Sequence, residues 1–164
     1  MNRKAQRCRI LFWVLSLLWM GTIFLLSAQP GEVSQSLSEE TARYAFFFLI
    51  PGFSGMDQQQ QQLLVQSVQF VIRKAAHIGM FAVLGMLLFG ALKTPQRPIK
   101  GAALRAAIIG STWAAIDELH QLTVPGRSGQ LRDVLIDAVG VAMGVGFLCV
   151  LLWMRNRLAK RNRA

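Results

Sequence analysis

The sequence predicts an all-α integral membrane protein with four transmembrane helices, both termini cytoplasmic, and one or two interfacial helices on the outer side. Three observations predict it. Of 164 residues, 53% are hydrophobic and only 16% charged, an unusual balance for a soluble domain of this size. The charges are segregated into blocks between apolar runs that approach the ~17–25 residues of a spanning helix. The basic residues gather at the ends of those runs, which is the pattern of topology signals. The formal net charge of +10 therefore reads as orientation, since a nucleic-acid-binding surface would collect its basic residues on one soluble face. A single membrane domain is expected over 1–164.

The first span is expected over 10–26, seventeen residues without a charge behind a basic N-terminus. Leu26-Ser27-Ala28 loosely resembles a signal-peptide cleavage site, but the run exceeds the ~7–15 apolar residues of a signal peptide. An uncleaved helix is expected, ended by Pro30-Gly31.

The outer interfacial region is expected over 34–73. Ser36 and Glu39 have capping-box spacing for a helix running to Ile50, stopped by Pro51-Gly52. Its apolar part is too short to span and suits the membrane interface. Asp57 is placed to cap a second helix that opens with a glutamine run. Leu64, Val68, Val71 and Ala75 then follow at helical spacing. The pattern runs without a break into the second span, 76–92. A basic connection with two prolines over 93–100 separates it from the third span, 102–121. A polar loop over 122–130 leads to the fourth span, 134–154, and a basic tail. Cys8 and Cys149 have no pairing or metal-like spacing and are expected as free thiols.

Thirteen of the eighteen Lys and Arg residues fall in the N-terminus, the 93–105 connection and the tail, which places those segments in the cytoplasm. The loop at 122–130 then faces outward. Residues 101–116 rise only about 24 Å at ~1.5 Å per residue, against a hydrocarbon core of ~30 Å. Asp117, Glu118 and Gln121 should consequently lie within the outer boundary. The same reckoning draws in His77 and Asp137. Ionisable groups are costly at that depth and reduce the cost by turning toward one another.

The helical faces agree with this convergence. Lys74, His77, Phe81 and Gly85 share one stripe, and Ser111, Ala114, Glu118 and Gln121 a second. Asp133, Asp137, Gly140 and Gly144 share a third, whose Gly-x-x-x-Gly spacing allows close helix approach. An outward-opening polar cup above a tight seam is expected, with Lys74, His77, Glu118, Gln121, Arg127, Asp133 and Asp137 as ligand-binding candidates.

Lys74-x-x-His77, Glu118-x-x-Gln121, Pro125-Gly126-Arg127, Asp133-x-x-x-Asp137, Gly140 and Gly144 together resemble the VanZ-like family of bacterial membrane proteins, named for a teicoplanin-resistance accessory protein. The stretch from Leu26 to Ser34 resembles the serine-rich end of that family's first helix. Phe81 stands where many members have tyrosine, and Asp137 where many have asparagine. The resemblance implies a multi-pass protein of the bacterial cytoplasmic (inner) membrane with a role in the cell envelope, extending to teicoplanin and other glycopeptide antibiotic resistance.

Several functions remain open on these residues. The cup could be a structural network locking three helices. It could bind an anionic lipid, a cell-wall precursor or a glycopeptide-related ligand, with Lys74 and Arg127 as anchors. It could belong to a membrane-embedded hydrolase or transferase acting on an amphiphile, with Glu118, His77 or Asp133 as acid or base. A transporter is disfavoured, because four spans show no inverted repeat. No zinc-type spacing is present, so no metal and no cofactor are expected. The expected partners are membrane lipids and not nucleic acid.

Overall fold

The computed structural model describes residues 3–94 and 98–161. Pro95, Gln96 and Arg97 of the predicted basic connection lie outside them, as do residues 1–2 and 162–164. The described residues form five α-helices: α1 (Arg3–Ser27), α2 (Gly31–Leu49), α3 (Gln58–Leu92), α4 (Ile99–Gln121) and α5 (Leu131–Arg161), with a short 3-10 turn at Phe53–Gly55.

α1, α3 and α5 are each long and apolar enough to cross a membrane. α4, expected as a fourth such span, is not among them. Its 23 residues cover about 34 Å at ~1.5 Å per residue, so length is not the reason. Lys100, Arg105, Asp117 and Glu118 interrupt it, and its buried stripe is made of small residues: Ala102, Ala106, Gly110 and Ala114. α4 packs against α1, α3 and α5, where small side chains suit it better than lipid-facing bulk.

The most extensive helix pair is α3 with α5. Lipid tails are as apolar as leucine, so helices in a membrane associate through close packing and interhelical hydrogen bonds rather than through the hydrophobic effect. The sequence provides for that. A Cβ at Gly140 would lie 2.6 Å from the Ile78 carbonyl oxygen, and one at Gly144 would strike the carbonyl of Ala82. From the other side, a Cβ at Gly85 would strike the carbonyl of Val141. The expected Gly-x-x-x-Gly seam is present, with Phe81, Leu84, Leu88, Phe89 and Val141 buried around it. Trp19 adds a directional tie: its Nε1 donates to the Met80 carbonyl at 2.8 Å, holding α1 to α3.

α3 is one unbroken helix of 35 residues, as the periodicity predicts. The Asp57 side chain caps it, accepting from the Gln60 amide at 2.8 Å. At about 52 Å it outruns a hydrocarbon core of ~30 Å, and its first turns pack against α2. There Ala42, Phe53 and Val65 form a second small core, joined by Phe46, Ile50 and Val68. Arg43 donates to the Gln62 side chain across the same contact.

The capping box expected at Ser36 and Glu39 is not formed. α2 begins five residues earlier, directly after Pro30, with no side-chain cap. Ser36 lies within the helix and donates to the Val33 carbonyl. What starts α2 is a long-range contact. The Gly31 amide donates to the Pro125 carbonyl at 3.0 Å, and a Cβ on Gly31 would collide with the backbone of Gly126. Gly126 itself has φ +70°, a conformation that favours glycine. The Pro125-Gly126 turn thus brings the α4–α5 loop against the α1–α2 junction.

Candidate functional site

At the α2 end of the bundle, α3, α5 and the α4–α5 loop enclose a cleft of about 260 Å³. α3 contributes Phe70, Arg73, Lys74 and His77 to its wall, while the loop and α5 contribute Arg127, Arg132 and Asp133. Four of these side chains are cationic. The one carboxylate among them, Asp133, is held by Lys74 at 2.5 Å, each side chain 19% exposed. Arg73, Arg127 and Arg132 are left with no carboxylate partner among the described ion pairs.

Arg73 is half-buried, and its Nε is buried without a hydrogen-bond partner among the described residues. Arg127 is placed differently. Its Nε donates to the Gln29 carbonyl at 2.9 Å, its Nη1 to Gln121 Oε1 at 3.2 Å and its Nη2 to the Leu26 carbonyl at 3.3 Å. Leu26 and Gln29 flank the end of α1, where the last carbonyls of a helix lack intrahelical donors. Arg127 therefore clamps the end of α1 to the loop, using three of the five N–H donors of a guanidinium. It makes no ion pair with Glu118 or Asp133, the partners its charge suggests. Burial lowers the Arg127 guanidinium from its ordinary value, with Arg73 adding to the shift and Asp117 and Glu118 opposing it. Two crowded cations at the mouth of one cleft would both gain from an anion between them.

Beneath the cleft lies a layer of buried carboxylates. Asp117 is fully buried; its Oδ2 accepts from Ser27 Oγ at 2.7 Å and from Gln121 Nε2 at 3.1 Å. Asp137 is also buried, and its Oδ1 lies 3.5 Å from His77 Nδ1, a charge contact when the imidazole is protonated. Glu118 is buried as well, and its Oε1 accepts from the Gln130 amide at 2.7 Å. Gln130 immediately precedes α5, so the Glu118 carboxylate sits at the amino end of that helix, where its dipole favours negative charge.

A VanZ/LLP1 family model matches residues 12–153. The chain belongs to this family. Comparison with curated proteins gives no match, and comparison with solved structures gives none either. The match covers α2, α3 and α4 of this VanZ/LLP1 protein in full and most of α1 and α5, and every candidate site residue falls inside it.

Of the seven candidates, Lys74, His77, Gln121, Arg127 and Asp133 line the cleft. Asp137 joins them through His77, and Glu118 joins through Gln130. Neither reaches the wall, so of the acid or base candidates only His77 and Asp133 face the cavity. His120, in the last turn of α4, stacks on Phe24 of α1 with ring centroids 4.2 Å apart and takes no part in the wall. The residues missed in the sequence are Arg73, Arg132 and Ser27. Asp117, which the sequence places at the depth of Glu118, is not among the candidates although it is buried in the same layer. Arg73 carried no usable signal, being indistinguishable from a topology charge. Among the described residues, no group of three or more His, Cys, Asp or Glu side chains is placed to hold a metal ion.

Proposed function

We propose that this VanZ/LLP1 membrane protein spans the bacterial cytoplasmic membrane four times, with both termini inside, and binds an anionic envelope ligand in an outward-facing cleft. One observation carries the reading: Arg73, Lys74, Arg127 and Arg132 surround a single cleft whose only lining carboxylate among the described residues, Asp133, is already paired. Arginine stays charged at physiological pH and recognises phosphate or carboxylate oxygens by paired N–H donors. The distribution of Lys and Arg supports the orientation, and the length of α4 supports a fourth crossing.

Arg127 is an anchor of the cleft wall in this reading, and Arg73 is the principal cation offered to the ligand. Asp117, Glu118 and Asp137 hold the wall from below. The shared chemistry of an anionic lipid and a cell-wall precursor is a phosphate at the membrane surface, and the cleft is suited to that group. A role in glycopeptide resistance would follow if the ligand is one on which such antibiotics act.

A second reading rests on His77. Its Nδ1 faces Asp137 while the ring lines the cleft, so the imidazole is oriented by a buried carboxylate as a general acid or base would be. Membrane-embedded hydrolysis or transfer on an amphiphile is the corresponding activity.

Binding of short-chain phosphatidylglycerol to the purified protein, wild type against Arg73→Gln, tests the first reading. The expected result is a loss of about tenfold in affinity, the scale of one charge-assisted contact, with unchanged melting. Conversion of the lipid by wild type but not by His77→Ala would favour the second.

A further inference from the structure

A second cavity of about 190 Å³ lies between the end of α1, α2 and α3. Arg73, His77 and Arg127 line both this cavity and the basic cleft, so the two adjoin at those three side chains. The two differ in the rest of their walls. Beyond the shared side chains the basic cleft carries Lys74, Arg132 and Asp133, whereas the second cavity carries Leu26, Leu37, Ile72, Ala76 and Met80, beside Gln29 and serine and threonine hydroxyls. Leu26, Leu37, Thr41 and Ala76 are exposed, so the cavity opens sideways at the margin of the bundle, onto a surface that carries apolar side chains.

We propose that these two cavities are one amphiphile site. An anionic phospholipid places its phosphate in the basic cleft against Arg73, and one acyl chain passes over the Arg73–His77–Arg127 bar into the groove between α2 and α3. The inference rests on the anion-binding reading and adds to it the class of ligand: a lipid with its chain attached rather than a soluble anion. Charge and apolar surface meet here in the order in which they occur in a phospholipid entering from a leaflet. A free anion would make no use of the apolar wall of the groove. A lipid also accounts for the sideways opening, because its chain can leave the site without crossing the charged wall.

The test uses the full chain in amphipol and compares two probes, dioctanoyl phosphatidylglycerol and glycerol 3-phosphate. Wild type should bind the lipid at least tenfold more tightly than the free headgroup. Ala76→Trp and Thr41→Trp fill the groove from its two exposed sides and leave every cation in the sequence. Each should weaken lipid binding about tenfold, leave glycerol 3-phosphate binding unchanged and melt as wild type does. Two positions on different helices keep the test alive if one variant fails to fold. Equal affinity for the two probes, or Trp variants that bind the lipid as wild type does, would overturn the lipid assignment while the anion reading stood. Failure of wild type to bind either probe would overturn both.

Discussion

The two halves of the α3–α5 interface are built on opposite principles. From Ile78 onward along α3, backbone meets backbone: Gly85, Gly140 and Gly144 each face a carbonyl of the opposite helix with no room for a Cβ. Between Arg73 and His77 the same helices are held apart by long polar side chains, through Lys74–Asp133 and His77–Asp137. The first arrangement leaves no space. The second leaves a cleft, and its polar groups could not be brought closer without desolvating charge. The difference teaches that the glycine seam sets the helix spacing, while the polar half turns the resulting divergence into a cavity with a defined charge.

The largest effect should come from closing off the tight half. Gly144→Val directs a branched side chain into the Ala82 backbone; overpacking costs about 1–3 kcal/mol, occasionally more, and here the obstacle is backbone that cannot rotate away. Folded protein recovered from membranes should fall sharply, read as a lowered melting temperature of whatever remains. A melting curve like that of wild type would mean the seam is looser than the geometry indicates.

Removing the floor of the polar half should cost less. Asp117→Ala strands the Ser27 hydroxyl and the Gln121 amide, and a buried donor left unmade costs about 1–3 kcal/mol. Thermal unfolding should register that loss, with Ser27→Ala nearer the lower figure. If Ser27→Ala is the more damaging of the two, Asp117 is not the hub of the layer.

At the cleft wall the effects should be smaller still. Lys74 and Asp133 are partly exposed, and an ion pair in that setting contributes about 1 kcal/mol or less. A double-mutant cycle with Lys74→Met and Asp133→Leu should return a coupling of that size, because the double variant removes both charges together. A coupling several times larger would show the pair to be part of the packed half instead. The smallest effect belongs to Gly146, whose Cβ would meet nothing within 4 Å. Gly146→Ala should be neutral or stabilise α5 by up to about 1 kcal/mol, separating helix propensity from helix contact about half a turn from Gly144.

The tight half was legible in the sequence because it follows from period and spacing alone. Gly140 and Gly144 declare a face, and the uninterrupted pattern through Ala75 and His77 declares a helix continuous from Asp57. The polar half was legible in membership and not in wiring. Lys74, His77, Gln121 and Asp133 share faces that converge, but whether Arg127 meets a carboxylate or the end of α1 depends on a turn at Pro125-Gly126 seated on Gly31. No local pattern contains that contact. The start of α2 is obscure for the same reason, since its first turns are polar and lack apolar periodicity. The apolarity of α4 is weaker than that of α1, α3 and α5 because its face toward the other helices is built on small residues such as Ala106 and Gly110.

The most direct measurement compares one cation from each end of the bundle. Arg73 lines the cleft, whereas Arg105 is an exposed cation on α4 outside it. Titration of dioctanoyl phosphatidylglycerol against wild type, Arg73→Gln and Arg105→Gln at fixed ionic strength would read the difference. An affinity lowered about tenfold in Arg73→Gln and unchanged in Arg105→Gln is the predicted result. Equal affinities in all three proteins, or equal losses in both variants, would contradict an anion site built by the polar half of the α3–α5 interface.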